Sequence, residues 1–314
     1  MTTPFSPDRP LKIGTRGSPL ALAQAHETRA RLMTALSLPE EAFEVVVIST
    51  SGDRILDRPL KEVGGKGLFT REIEEQLLAG DIDIAVHSTK DMPTEQPEGL
   101  ILDTFLPRED VRDAFVTLDG RAMSDLAEGS VVGTSSLRRR AQLAYRRPDL
   151  QVVEFRGNLQ TRMKKLRDGV AEATFLAMAG LRRLNLDDVP RTAIDTLDML
   201  PAVAQGAIGI ERRIDDDAMA ETLSLIHDTD TGARLAAERS FLLTLDGSCE
   251  TPIAGLAELD GAKLRMRGEV LRPDGSDVLE EAGDAPREDG AALGRELGAK
   301  LLERAPSGFF DWRV

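Results

Sequence analysis

Apolar side chains recur along this chain with two alternating periods. Leu11-Lys12-Ile13-Gly14-Thr15 reads as a short strand, and Arg16-Gly17-Ser18-Pro19 turns from it into a helix carrying Leu22, Ala25, Leu32 and Leu36. Ser18 has the hydroxyl an N-cap requires, and Pro19 suits the first helical position. A valine-rich strand over Glu44 to Thr50 ends at Ser51-Gly52-Asp53. After a glycine-dense loop from Val63 to Phe69, the pattern predicts a helix over Thr70 to Leu78 with Gly80 as terminator. A third strand, Ile82 to Val86, runs into His87-Ser88-Thr89-Lys90-Asp91-Met92-Pro93.

The plan then repeats. Strand Val131 to Gly133 leads through Thr134-Ser135-Ser136 to a helix bearing Arg138, Arg139 and Arg140. Strand Val152 to Phe155 leads through Arg156-Gly157-Asn158 to a helix containing Arg162, and strand Ala173 to Ala177 leads to Arg182 and Arg183. Strands alternating with helices imply a mainly parallel sheet in each unit, where ligands sit beyond the carboxyl ends of the strands. The polar and basic residues fall at those ends in both units, which points to two lobes facing each other across a cleft. Leu200 to Glu211 reads as a glycine-interrupted crossover back toward the first unit.

After Asp228 the pattern changes. A helix over Thr231 to Leu245, strands Ile253 to Leu259 and Lys263 to Leu271 joined by Asp260-Gly261, a third short strand after Pro273-Asp274-Gly275, and a helix over Ala291 to Leu302 predict a small α+β domain with an antiparallel sheet.

Composition narrows the classes. At 314 residues the chain exceeds one ordinary core, so two or three domains are expected. Hydrophobic residues make up 41% and charged residues 30%, with no apolar run long enough to span a bilayer. Met1 to Pro7 lacks the charged-then-apolar plan of a secretory signal, and the expected compartment is the cytoplasm. A net charge of -14 argues against nucleic acid as a general partner.

Cys249 is the only cysteine and sits between Gly247 and Pro252, in a turn whose backbone is specified at both ends. A lone cysteine is most often an inert buried side chain; the alternative is an accessible thiol that carries something covalently. Lys66, in Gly64-Gly65-Lys66-Gly67, is not a nucleotide-binding phosphate loop, because Leu60 stands where the first glycine belongs and no Ser or Thr follows the lysine. His26, His87 and His227 are dispersed, so no metal site is expected. His87 is read as a structural side chain with a supporting role beside Asp91 as the alternative. The arginines at the strand ends are either solvated helix faces or a converging set suited to a polyanionic small molecule. Asp91, at a strand end beside Lys90, is a candidate for stabilising a developing cation or exchanging a proton.

These stretches closely resemble the porphobilinogen deaminase family. The resemblance rests on Thr15 to Ala21, Gly64 to Phe69, His87 to Pro93, Gly133 to Arg139, Arg156-Gly157-Asn158 with Thr161-Arg162, the Gln205-Gly206 segment and Gly247-Ser248-Cys249, in the family's order. It implies two lobes of the type II periplasmic-binding-protein kind and a small carboxy-terminal α+β domain with a three-stranded antiparallel sheet. The expected boundaries are 10–106 with 207–226, then 107–206, then 227–314.

It further implies a dipyrromethane cofactor on Cys249 through a thioether, and extension of that primer by four porphobilinogen units before water releases hydroxymethylbilane. Asp91 and Lys90 would be catalytic. Ser88, Thr134, Ser135, Ser136, Arg138, Arg139, Arg156 and Gly157 would join Asp91 and Lys90 in holding the cofactor. Arg16, Ser18, Lys66, Phe69, Arg156, Arg162, Arg183 and Gln205 would bind substrate. Porphobilinogen is the expected partner, with no nucleic acid and no membrane, and the family implies a monomer. Glu62, Ala204, Ser248 and Glu250 depart from residues common in the family, which touches fine contacts rather than the reaction. The rival readings are a non-catalytic two-lobed anion-binding protein and a cysteine-nucleophile hydrolase; the second lacks a Cys-His arrangement.

Overall fold

The structure, a computed structural model, describes residues 5–54, 70–157, 159–247 and 251–312. Cys249, Lys66 and Phe69 lie outside the described residues. The chain divides into two compact units, Met1–Glu109 with Gly206–Gly232, and Asp110–Gln205 with Ala233–Val314.

The first unit holds strands β1 (Leu11–Arg16), β2 (Phe43–Ile48), β3 (Ile84–Ser88), β4 (Leu100–Phe105) and β10 (Ile208–Arg213), in the order β2-β1-β3-β10-β4. Helix α1 (Pro19–Leu36) covers one face, where Leu11, Ile13, Ile84, Val86, Ile208 and Ile210 pack with Ala25 and Leu32. After a single helical turn, α2 (Ser51–Arg54), helix α3 (Arg71–Ala79) covers the other face, with Ile73 and Leu77 against Ile48, Ile82, Ala85 and Leu100. Burial on both faces explains the near-continuous apolar runs. The two predicted end signals hold: Ser18 Oγ accepts from Ala21 N at 3.2 Å, and Gly80 takes the left-handed conformation at φ 78°.

The second unit contains β5 (Asp113–Thr117), β6 (Val131–Gly133), β7 (Gln151–Val153), β8 (Ala173–Ala177) and β9 (Arg191–Ala193), in the order β7-β6-β8-β5-β9. Helices α4 (Leu137–Arg146), α5 (Leu159–Arg167) and α6 (Met178–Arg183) follow β6, β7 and β8, and α7 (Asp217–Ser224) follows β10 in the first unit. The two five-stranded orders are the same pattern. Four strands of each sheet run in one direction, while β10 in one sheet and β5 in the other run antiparallel to both neighbours. The sheets are therefore mixed, with the strands mainly in one direction as expected and one reversed strand in each. Local periodicity reports that a segment is a strand but not its direction, and the end of the segment read as a crossover is itself strand β10. Each lobe is thus an α/β unit built on the same five-stranded plan.

The carboxy-terminal part lies within the second unit. Helix α8 (Thr229–Thr244) begins in the first unit and continues in the second, where the antiparallel sheet β11 (Ile253–Asp260), β12 (Lys263–Leu271) and β13 (Val278–Pro286) carries α9 (Gly290–Arg304) on one face. Leu293, Leu297 and Leu301 of α9 are buried, as their spacing predicts. The Asp260-Gly261 turn closes the β11-β12 hairpin, with Asp260 paired to Lys263.

Candidate functional site

In the first unit, β1 and β3 end at one edge of the sheet, and β10 begins there because it runs the other way, with Ile208 opposite Ser88. Arg16 closes β1, and Ser18 caps the helix that follows. Ser88 closes β3 and accepts from Gln24 Nε2 at 2.8 Å. A 3-10 turn, Thr89–Asp91, then carries Lys90 half-buried and Asp91 exposed. This turn is pinned by Thr89 N donating to Ala207 O at 3.0 Å. Gly209 of β10 makes the close approach possible, since a Cβ there would lie 2.8 Å from Thr89 Oγ1. Arg16, Ser18, Gln24, His87, Ser88 and Asp91 share the wall of one cavity of about 80 Å³.

In the second unit, the loop after β6 places Thr134, Ser135 and Ser136 at the corresponding edge. Thr134 Oγ1 accepts from Ser136 N at 3.2 Å, and Ser136 Oγ caps α4 through Arg139 N at 3.4 Å. Asp113, the first residue of β5, is fully buried at the same edge and was not legible as a site residue. Its carboxylate accepts from Arg138 Nη2 at 2.7 Å, Arg139 Nη2 at 2.8 Å and Gln205 Nε2 at 2.9 Å. Burial opposes the charge of Asp113, but the guanidiniums and these hydrogen bonds outweigh it and hold the carboxyl well below the usual carboxylate range. The one available signal was a lone acid opening the five-residue run Asp113–Thr117, in which every position is buried.

Arg138 is 4% exposed, and its Nη1 donates to Leu200 O and Gln142 Oε1. Arg139 Nη1 donates to Phe175 O at 3.2 Å, and Arg162 Nη1 donates to the same carbonyl at 3.2 Å. Burial, reinforced by neighbouring Arg139, brings the Arg162 guanidinium down to about 10. Arg156 pairs with Glu154 at 2.9 Å; burial raises the Glu154 carboxyl, and Arg156 leads the opposing contacts that hold it below its ordinary value. Gly157, at φ 115°, offers its carbonyl to Arg162 Nε at 3.0 Å. Arg183 ends α6 and is half-buried. Several of the predicted arginines thus meet at one edge, organised by Asp113 and the Phe175 carbonyl.

The Nε atoms of Arg138 and Arg139 are buried without hydrogen-bond partners among the described residues. Buried donors are rarely left so. Unused donors at a cationic strand-end edge fit a ligand rich in carboxylates.

Two family models match the chain: "Porphobilinogen deaminase, dipyromethane cofactor binding domain" over residues 11–221, and "Porphobilinogen deaminase, C-terminal domain" over residues 233–303. The porphobilinogen deaminase of Paracoccus denitrificans (strain Pd 1222) is 65% identical over 312 residues, covering 99% of this chain and 100% of that protein. The chloroplastic porphobilinogen deaminase of Pisum sativum is 54% identical over 307 residues, covering 96% and 83%. Among solved structures, a Salmonella typhimurium periplasmic binding protein of high arginine specificity aligns with a TM-score of 0.40 at 16% identity, over 70% of this chain and 92% of that one.

Proposed function

The chain belongs to the porphobilinogen deaminase family, and on that premise we propose how its own residues carry the reaction. The activity is that of hydroxymethylbilane synthase, a transferase of heme biosynthesis. Four porphobilinogen molecules lose ammonia and are joined head to tail on a dipyrromethane primer, and the linear product leaves by hydrolysis. The reading as a non-catalytic anion-binding protein is set aside, because the deaminase models cover both the lobes and the segment that contains Cys249.

Asp91 is the catalytic carboxylate. Exposed on a pinned turn, it accepts from pyrrole N–H groups and stabilises the cation that develops on porphobilinogen as ammonia departs. Lys90 and Ser88 add donors, and Arg16 and Ser18 hold the substrate's acetate and propionate. The observation that carries this assignment is the cavity wall shared by Asp91, Arg16 and Ser18. In the second unit, Thr134, Ser135, Ser136, Arg156 and Gly157 hold the carboxylates of the cofactor, with Arg138 and Arg139 supplying positive potential from beneath. Arg162, Arg183 and Gln205 serve the substrate-derived rings, and Lys66 and Phe69 contribute from the glycine-dense loop. When bound, the dipyrromethane, joined by a thioether to Cys249, supplies the acceptor pyrrole from which the chain grows.

The chain works as a cytoplasmic monomer that engages neither membrane nor nucleic acid; its net charge of -14 speaks against nucleic acid. Among the described residues, no helix is long and apolar enough to cross a membrane. Its functional domains are 10–106 with 207–226, 107–206, and 227–314.

The test is the intact mass of the purified protein with peptide mapping. The expected result is an excess equal to two porphobilinogen units less their ammonia, located on Cys249. A protein that stays unmodified after incubation with porphobilinogen or hydroxymethylbilane, and forms no product, would overturn the assignment.

A further inference from the structure

Three ionisable side chains lie where the pattern calls for apolar ones. His87 on β3 and Glu211 on β10 project to the face covered by α3, among Ala85, Ile73 and Leu77, and Glu74 of α3 comes down onto them. Glu211 is fully buried, and its Oε2 lies 3.0 Å from His87 Nε2. Its other oxygen, Oε1, is buried with no hydrogen-bond partner among the described residues. Placing these groups in an apolar layer costs stability that hydrophobic side chains at the same positions would not. That cost asks for a use, and the ring's position supplies one: His87 lines the cavity that also holds Asp91 and Arg16.

We infer that His87 is the proton carrier of the condensation and that Glu211 is the positioning residue that fixes its tautomer; the inference rests on the assignment of Asp91 given above. In this pairing the Glu211 carboxylate accepts from Nε2–H, which leaves the Nδ1 lone pair as the ring's basic position. For each ring added, the C–N bond of the porphobilinogen ammoniomethyl group breaks, and ammonia leaves with the bonding pair. A C–C bond forms to the acceptor pyrrole, whose α-carbon then gives up one proton. His87 takes that proton and passes it to the departing ammonia, which leaves as ammonium. The sum balances without an outside reagent. A proton carrier beside Asp91 leaves its carboxylate to stabilise the cation.

The groups facing His87 suit this task. Glu211 stands behind it from β10 and Glu74 from α3, while Arg16 and Asp91 face the shared cavity from β1 and the turn after β3. Burial raises the Glu74 carboxyl, and Glu211 raises it further.

The test uses the holoenzyme and two variants, His87→Asn and Glu211→Gln. H87N should lower kcat by about 10²-fold, the usual worth of a positioned acid-base group, with the porphobilinogen KM within about twofold and cofactor loading by intact mass unchanged. With only three histidines in the chain, nitrogen-15 NMR can assign His87 by difference. It should show the Nε2–H tautomer in the wild type and a mixture in E211Q, together with a displaced pH–rate profile. H87N retaining kcat within about twofold, or E211Q retaining both the wild-type tautomer and the wild-type profile, overturns the inference. If H87N unfolds or fails to load, E211Q decides alone. Failure of the wild type to load the cofactor or convert porphobilinogen would instead refute the functional assignment, and the two failures are distinguishable.

Discussion

Replacing Asp113 with Asn is the most exacting test of how the second unit holds its cationic edge. Asp113 is fully buried between Arg138 and Arg139, which are 4% and 8% exposed, and it receives three donors. At about 4 Å and an effective dielectric near 20, each ion pair contributes about 4 kcal/mol of attraction. Asn keeps the shape, but it removes the charge and turns one acceptor position into a donor facing a guanidinium. Water entry and side-chain relaxation recover part of the loss. The expected destabilisation is about 3–5 kcal/mol, the usual cost of leaving a buried charge without its partner. Against a total stability of about 5–15 kcal/mol this is readily measured.

Denaturant unfolding followed by tryptophan fluorescence is the assay, because the only tryptophan, Trp312, lies in the second unit. The additional change Arg138→Gln should return part of the loss by removing one of the two stranded cations. The pH dependence has a defined sign. The Asp113 carboxyl is depressed in the folded state, so its stabilisation is fully present above the unfolded value of about 3.9 and is lost progressively as pH falls from there through the folded value. The gap between wild type and D113N should therefore be constant from neutral pH to about pH 4 and close below it. A loss under about 1 kcal/mol at pH 7 would refute the ion-pair account.

Three further outcomes are expected. Asp91→Ala should lower turnover by at least about 10²-fold while intact mass still shows the cofactor, and a fully active variant would remove Asp91 from the chemistry. Gly157→Ala should cost about 1–3 kcal/mol, because φ is 115° and the added Cβ would lie 2.6 Å from Thr161; an unchanged melting temperature would contradict this backbone. Glu269→Gln should stabilise the second unit progressively as pH rises. Burial raises the Glu269 carboxyl despite contacts from Gln142 and Arg146, so folding favours its neutral form, and that share of stability is lost as pH rises through the folded value. A melting-temperature difference between E269Q and wild type that does not grow from about pH 5 to pH 8 would count against it.

Much of this was legible one residue at a time. Ser18 at the start of α1, Gly80 at the end of α3 and Asp260-Gly261 in the β11-β12 hairpin act through their own backbone and near neighbours, so their signals are local. The strand-end positions of Arg16, Asp91, Ser135 and Arg156 followed from the alternation of strands with helices. Asp113, Glu211 and Glu269 were not legible. In sequence each is an isolated acid in or beside an apolar run. Its meaning comes from a partner that is 25 positions away for Asp113 and Arg138, 124 for Glu211 and His87, and 127 for Glu269 and Gln142.

By itself, then, the sequence determined the elements, the repeated α/β plan, the antiparallel carboxy-terminal sheet and, through its motifs, the family. Those properties are set by short-range sterics, capping and hydrophobic period. Only the tertiary structure decided that β5 and β10 run against their neighbours, that Arg138 and Arg139 converge on one buried carboxylate, and that His87 is backed by Glu211. Strand direction and buried charge pairing depend on which distant segments share a dry interior, where an unpaired charge or donor is costly, and no local pattern records that choice.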